Sequence, residues 1–308
     1  MAENELESRM SQMRFDTENL LNLIATSNIV LDAHQLYDPT FHEEHAAEAE
    51  KCHIYMIGHT PTVKFETASQ EQNKASFIYS VSGESHTVQA KMPAGGILKL
   101  DQGAYILMPN GQKVWPDQWA IGKELSAQCG GFDFNVLYVG QAFGKAGSRS
   151  ALDRLSKHET LQKIAIQGVP DGRRLSVLLV QIMPGTRLIT VFNPHAKEQD
   201  EDGSRIDLGL DKLYGTNEAE RTTLYEASFI RYFQPKYNRV FKDSFPSTDM
   251  KSLLACYEKD IQSVVAEFGF DNFPYLLCSD TVPKSDHHIA HHDLHADEDR
   301  KFFFYGKG

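Results

Sequence analysis

The stretch from Asn135 to His158, NVLYVGQAFGKAGSRSALDRLSKH, constrains the fold most. An apolar run that reads as a buried strand gives way to a glycine-rich turn and then to a helix-like segment. On one helix, Arg154 and His158, four residues apart, would share a face. A cation and an imidazole that converge just beyond a strand end suit a phosphodiester, provided that a metal-binding carboxylate follows downstream.

The downstream sequence continues the pattern. RRLSVLLVQIMP is a continuous apolar run of the kind buried at a sheet centre. A helix beginning near Asn217, with Glu220 three residues on, runs through RTTLYEASFIRYF until Pro235 stops it. Ser150 and Asp153 form an approximate capping box for a helix expected from about Ser150 to Ile166. Strand, helix, strand, helix in this order predicts an α/β or α+β fold with a small mixed sheet flanked by helices.

On either side the texture differs. Residues 14–37 carry apolar positions at roughly helical spacing after Asp16-Thr17 and predict one or two amphipathic helices. From His53 to about Gly111, short β-prone runs such as CHIYMIGH, VKFETAS, SFIYSVSG and GAYILMPNG alternate with turn formers. A linker is expected near Val114–Gly131, a solvated loop at KEQDEDGSRIDLG, and a third helix over Met250–Phe268. The chain thus divides into a helical and β-rich region (1–100), a central domain (101–245) and a helical C-terminal extension (246–308).

Composition excludes several classes. The chain has 308 residues, of which 41% are hydrophobic and 24% charged, which is ordinary for a globular protein. Four cysteines without CxxC spacing indicate neither a disulfide framework nor a thiolate zinc site. The N-terminus lacks the basic and apolar regions of a signal peptide, and no apolar run could span a bilayer, so a cytoplasmic protein without a membrane partner is expected. Net charge is −11, yet Tyr138 to Lys242 holds 16 Lys and Arg against 12 Asp and Glu, while the remainder holds 15 against 30. The central segment is mildly basic within an acidic chain, which permits phosphate binding.

Three motifs in sequence order carry a resemblance. LYVG (Leu137–Gly140) is similar to the second signature strand of the GIY-YIG nuclease superfamily. Arg154 with His158 matches that family's helix-borne arginine and its partner. EASFIRYFQPKYN (Glu226–Asn238) resembles its closing segment, a helix that opens with the metal-binding glutamate and ends at P-x-Y-N. The resemblance implies a Mg²⁺-dependent endonuclease, with Mn²⁺ as a substitute, that hydrolyses DNA by a one-metal mechanism. A restriction or phage-defence enzyme suits a stand-alone chain with its own flanks, and a two-fold symmetric target would imply a homodimer or a partner protein.

The implied roles agree with the chemistry. Glu226 would bind the metal, since Mg²⁺ takes one or two carboxylates and keeps several waters. Arg154 would fork onto a phosphate oxygen. Tyr138 would help to activate water, with His158 sharing the proton or holding the phenol, and Asn238 would orient Glu226 or the backbone around it. Lys145 and Arg149, in the glycine-rich turn, would contact the DNA backbone. Taken singly, each has a plainer reading: a core tyrosine, a surface ion pair, a half-exposed histidine, a solvated glutamate. The first signature, GIY, has two candidates: Tyr105 in GAYILM, separated from Tyr138 by a long insertion, or Phe134 in GGFDFN, which would remove one phenol. Tyr105 is preferred because loops tolerate insertions at small entropic cost.

Two alternatives stand beside this. One is a non-catalytic nucleic-acid-binding module on the same framework. The other is a metal hydrolase built on His287, His288, His291, His292 and His295, of which all but the first would share a helical face.

Overall fold

In the computed structural model, which describes residues 7–8, 10–101, 103–142, 152, 155–183, 185–271 and 273–300, the seam of the fold is the 16-residue strand β1 (Thr17–Asp32). Its first half pairs antiparallel with β11 (Arg187–Phe192) and parallel with β12 (Ser263–Gly269). Its second half pairs antiparallel with β10 (Arg173–Ile182), after a register break between Ala25 and Ser27. Beyond β10 lie β2 (Ile54–Pro61) and then β9 (Asp133–Gln141), both antiparallel to their neighbours. Strand β13 (Leu276–Cys278) runs parallel to the start of β9, and β14 (His287–Asp293) closes the other end against β12. The result is an eight-stranded sheet, ordered β13-β9-β2-β10-β1-β12-β14 with β11 beside β1. A bridge between Leu277 and Ser285 joins the two ends, so the sheet is nearly closed into a barrel.

The described α-helices include α1 (Pro39–Ala49), α2 (Gln118–Gln128), α3 (Glu159–Gln167), α4 (Ser204–Gly215), α5 (Glu218–Phe233) and α6 (Lys251–Glu258). Alternation along the strands feeds two cores. Ile54, Met56, Phe134, Val136 and Val139 pack with Phe229 and Phe233 of α5 and Leu253 of α6. Tyr55, Ile57 and Leu137 face the other way, toward Phe41 of α1 and Leu161 and Ile164 of α3.

A third core belongs to residues 62–132, which leave the sheet after β2 and return at β9. Strands β3 (Val63–Glu71), β4 (Lys74–Val81) and β5 (Glu84–Lys91) form one three-stranded sheet; β6 (Ile97–Leu100), β7 (Ala104–Leu107) and β8 (Lys113–Val114) form another. Together with α2 they enclose Phe77, Tyr79, Val88, Ile106, Ile121 and Leu125.

The mixed α/β class matches the expectation, and so do the strand over RRLSVLLVQIMP and the helix that ends before Pro235. The central sheet is larger than expected and takes strands from all three sequence regions. Residues 17–32 are strand, not helix: Leu20, Leu21 and Leu23 are all buried because this half of β1 is covered on both faces, which erases the alternation that would mark a strand. The expected linker contains α2, capped by Asp117, whose carboxylate accepts from the N–H groups of Trp119 and Ala120. The expected loop at KEQDEDGSRIDLG turns helical at Ser204. The C-terminal extension is not mainly helical: α6 stops at Glu258, and β12, β13 and β14 follow.

Candidate functional site

The geometry around Tyr138 follows from the pairing of β2 with β9. Ile57 lies opposite Tyr138 and Tyr55 lies opposite Gly140, so the two tyrosines are diagonal neighbours on one face of the sheet. Their rings stack with centroids 6.0 Å apart. A Cβ on Gly140 would stand 2.5 Å from the Tyr55 Oη and 2.7 Å from the Tyr138 ring. The glycine of LYVG is therefore what lets both phenols converge. The phenol beside Tyr138 is thus Tyr55, which the sequence did not reveal although CHIYMIGH holds it in plain view.

Neither earlier candidate occupies that place. Tyr105 lies on β7 within the inserted segment, where its ring packs on Trp115 at 5.2 Å and Lys113 sits over it at 4.6 Å. Phe134 is fully buried on the opposite side of β9, where it fills the space left by Gly58. The residue beside Tyr138 is thus a phenol from β2, across an insertion of about 70 residues, longer than the one Tyr105 would have required.

His158 completes the aromatic group. It is the extended residue before α3, preceded by a turn at Ser156 and Lys157. The helix expected over 150–166 is thus interrupted by the turn at Ser156 and Lys157, and the face that His158 was expected to share with Arg154 lies outside the described residues. In this position the His158 Nε2 lies 2.7 Å from the Tyr55 Oη, and its ring lies 5.3 Å from that of Tyr138. Tyr55 is 2% exposed, so the buried phenol fixes the imidazole from behind. Arg154, Lys145 and Arg149 lie outside the described residues.

Glu226 comes from the middle of α5, whose start is capped by the Asn217 side chain on the Glu220 N–H at 2.9 Å. The Gln141 side chain, at the end of β9, donates to the Glu226 Oε2 at 2.8 Å and so ties α5 to the strand that carries Tyr138. Asn238 ties down the same strand: its Oδ1 accepts from the Val139 N–H at 2.9 Å, and its Nδ2 donates to the Val139 carbonyl at 2.8 Å. The Tyr237 N–H also bonds the Leu137 carbonyl at 3.0 Å. The P-x-Y-N segment thus covers the edge of β9 beyond the reach of β13. Both polar groups of the Asn238 side chain serve the backbone, so it is a positioning residue and not one that orients Glu226 directly.

Tyr138, Glu226 and Asn238 line one cavity of about 570 Å³, together with Glu159, Lys163, Tyr237 and Arg239 among others. Among the described residues no three His, Cys, Asp or Glu side chains converge to cage a metal. The cavity wall instead offers the carboxylates of Glu226 and Glu159, a donor set that fits a hard cation retaining most of its water.

The C-terminal histidines are arranged otherwise. They lie on strand β14 and just after it, not on a helix. His288 Nε2 meets the Leu277 carbonyl at 3.0 Å, His292 Nε2 the Ser228 carbonyl at 3.1 Å, and His295 Nε2 the Ile261 carbonyl at 3.1 Å. Burial lowers the pKa of each, that of His292 to about 4. The imidazoles are committed to backbone carbonyls of a strand, a helix and a loop, and the extended course of β14 removes the shared helical face on which the histidine-centred hydrolase was built. Among the described residues, no helix is long and apolar enough to cross a membrane.

Comparison with protein-family models, with curated proteins and with solved structures gives no match for this chain.

Proposed function

We propose that this protein is a metal-dependent endonuclease of GIY-YIG type that hydrolyses DNA phosphodiester bonds, acting as a restriction or phage-defence nuclease. One observation carries the reading. Two tyrosines from adjacent antiparallel strands meet at a glycine, with a histidine hydrogen-bonded to one of them, and the strand of the second is tied through Gln141 to a glutamate in the same cavity. That is the order of parts the sequence resemblance implies, with Tyr55 in the role first given to Tyr105.

The residues divide the work by position. Mg²⁺, or Mn²⁺ in its place, would be held by Glu226 and would neutralise charge on the phosphate. Tyr138, the phenol on the cavity wall, takes up the proton of the attacking water as its own hydroxyl proton passes to the His158 imidazole. Tyr55, buried behind, holds that imidazole in place. Asn238 and Gly140 keep β9 in the register that brings the phenols together.

The test is the cleavage of plasmid DNA with Mg²⁺ or Mn²⁺. Wild type should nick or linearise it, and Glu226→Gln should reduce the rate by at least about a hundredfold. Tyr138→Phe and Tyr55→Phe should each cost about ten- to a hundredfold. A Glu226→Gln protein that cuts as fast as wild type overturns the proposal. DNA binding without cleavage under any metal would favour the non-catalytic module instead.

A further inference from the structure

Three cations gather at the mouth of the Glu226 cavity. Lys163 of α3 and Arg239 line it, and Lys236 adjoins it through Tyr237. Among the described residues no carboxylate lies within 4.0 Å of any of the three. Several cations in other parts of the chain are paired: Arg173 with Asp133, Arg174 with Asp32, Arg205 and Arg300 with Glu18 and Asp260. In a chain of net charge −11, two of these cations stand beside the Tyr237 ring and two line the cavity wall.

The ring at their centre is fixed. Tyr237 is tethered by its N–H to Leu137 and by its hydroxyl to the Gln167 side chain. The Lys236 Nζ lies 5.5 Å from its centroid and the Lys163 Nζ 6.0 Å. Cation–π contact at an exposed site contributes only about 0.5–1 kcal/mol, so both ammonium groups keep their charge available to an anion. The charge of Lys236 also acts on a neighbouring imidazole. Burial first, and then the charges of Arg173 and Lys236, lower the pKa of His59. A single phosphate would be served by donors converging on one point, whereas Lys163 and Lys236 flank a ring and Arg239 lines the cavity beside it.

We infer that Lys163, Lys236 and Arg239 form a ridge that holds the phosphates of a DNA strand as it enters the Glu226 cavity; the choice of DNA rests on the nuclease reading above. Phosphate neutralisation by such residues releases counterions and fixes the strand without reading its sequence.

The experiment measures binding, not cleavage. A fluorescein-labelled duplex of about 20 base pairs is titrated with protein in metal-free buffer at several salt concentrations, and anisotropy gives the affinity. Three proteins are compared: wild type, the triple variant Lys163→Gln/Lys236→Gln/Arg239→Gln, and the charge-matched control Lys74→Gln/Lys91→Gln/Lys251→Gln, whose lysines lie elsewhere on the surface. Each ridge cation removed should lower the slope of log affinity against log salt by about 1. The ridge triple variant should bind at least about tenfold more weakly near 0.1 M salt, and the control should stay within about twofold of wild type. If the ridge variant changes its melting temperature, the three single variants replace it, each with a slope change of about 1. Wild-type slope in the ridge variant, an equal loss in the control, or no binding by wild type overturns the inference. The two readings fail separately: ridge-dependent binding without metal-dependent cleavage sinks only the nuclease, and cleavage with ridge-independent binding sinks only the ridge.

Discussion

Replacing Asn238 tests whether this residue works on the strand or on the substrate. Its side chain meets both backbone groups of Val139, a residue with no exposed surface, at 2.9 and 2.8 Å. In Asn238→Ala a buried N–H and a buried carbonyl of β9 lose their partners together. Each orphaned group costs about 1–3 kcal/mol, so the variant should lose about 2–6 kcal/mol. That is a large share of the roughly 5–15 kcal/mol that stabilises a typical domain. Urea unfolding followed by circular dichroism should show a lower midpoint with an unchanged slope. Asn238→Asp sharpens the test, because a carboxylate can still accept from the Val139 N–H but faces the carbonyl acceptor-to-acceptor. Only its protonated form can donate there, so the folded state raises its pKa. The stability missing at pH 7 should therefore return as the pH falls toward the carboxylic-acid range, measured relative to wild type at each pH. A loss below about 1 kcal/mol in Asn238→Ala, with cleavage nonetheless abolished, would refute the strand-clamp argument and return Asn238 to direct work on the substrate.

Further outcomes follow from other contacts. The pKa of His292 falls from an ordinary value of 6.5 to about 4, so the unfolded chain binds its proton first. Stability is full above pH 6.5 and lost as the pH drops toward 4, by about 3 kcal/mol from this residue alone, and a urea midpoint measured against pH checks it. Lowered values at His288, His291 and His295 act in the same direction. Gly140→Ala should push the phenols apart, costing about 1–3 kcal/mol in the urea assay and more than about tenfold in plasmid cleavage. Tyr105→Phe should leave cleavage unchanged, in contrast to Tyr55→Phe, and an equal loss in both would restore Tyr105 to the site. Removing one partner of the buried Arg300–Glu18 pair, as in Glu18→Gln, should lower stability by about 3–5 kcal/mol in urea unfolding.

Much of the central segment was legible because its signals are local. The apolar run of β10, the Asn217 cap, the stop at Pro235 and the strand at LYVG each depend on residues close in sequence. Other features were hidden because tertiary contacts decide them. Strand β1 has apolar positions that suit a helix, and only burial on both faces makes it a strand. The histidine tail repeats at intervals compatible with either period, and pairing with β12 selects the extended one. Tyr55 was missed because its pairing with Gly140 spans 85 positions, over which no spacing rule operates, and because its strand reads like its β-rich neighbours. Asn238 was legible as a motif residue, but its task was not, since nothing in P-x-Y-N names Val139.

The inserted segment with its own core also bears on the order of folding. Bringing Tyr55 to Tyr138 means closing a chain of about 70 residues, and a flexible loop of that length costs about 2 kcal/mol more to close than one of five. Residues 62–132 do not have to pay that as a flexible loop. They enclose their own apolar cluster, and their two ends are held together at Arg173, which lies opposite Pro61 in β2 and donates to the Asp133 carboxylate at 2.8 Å. A segment that closes on itself presents β2 and β9 to each other as a tight turn would. The two phenols can then meet as in a local hairpin, and the outer parts of the insert can vary in length and sequence without shifting the register that aligns Tyr55 with Gly140.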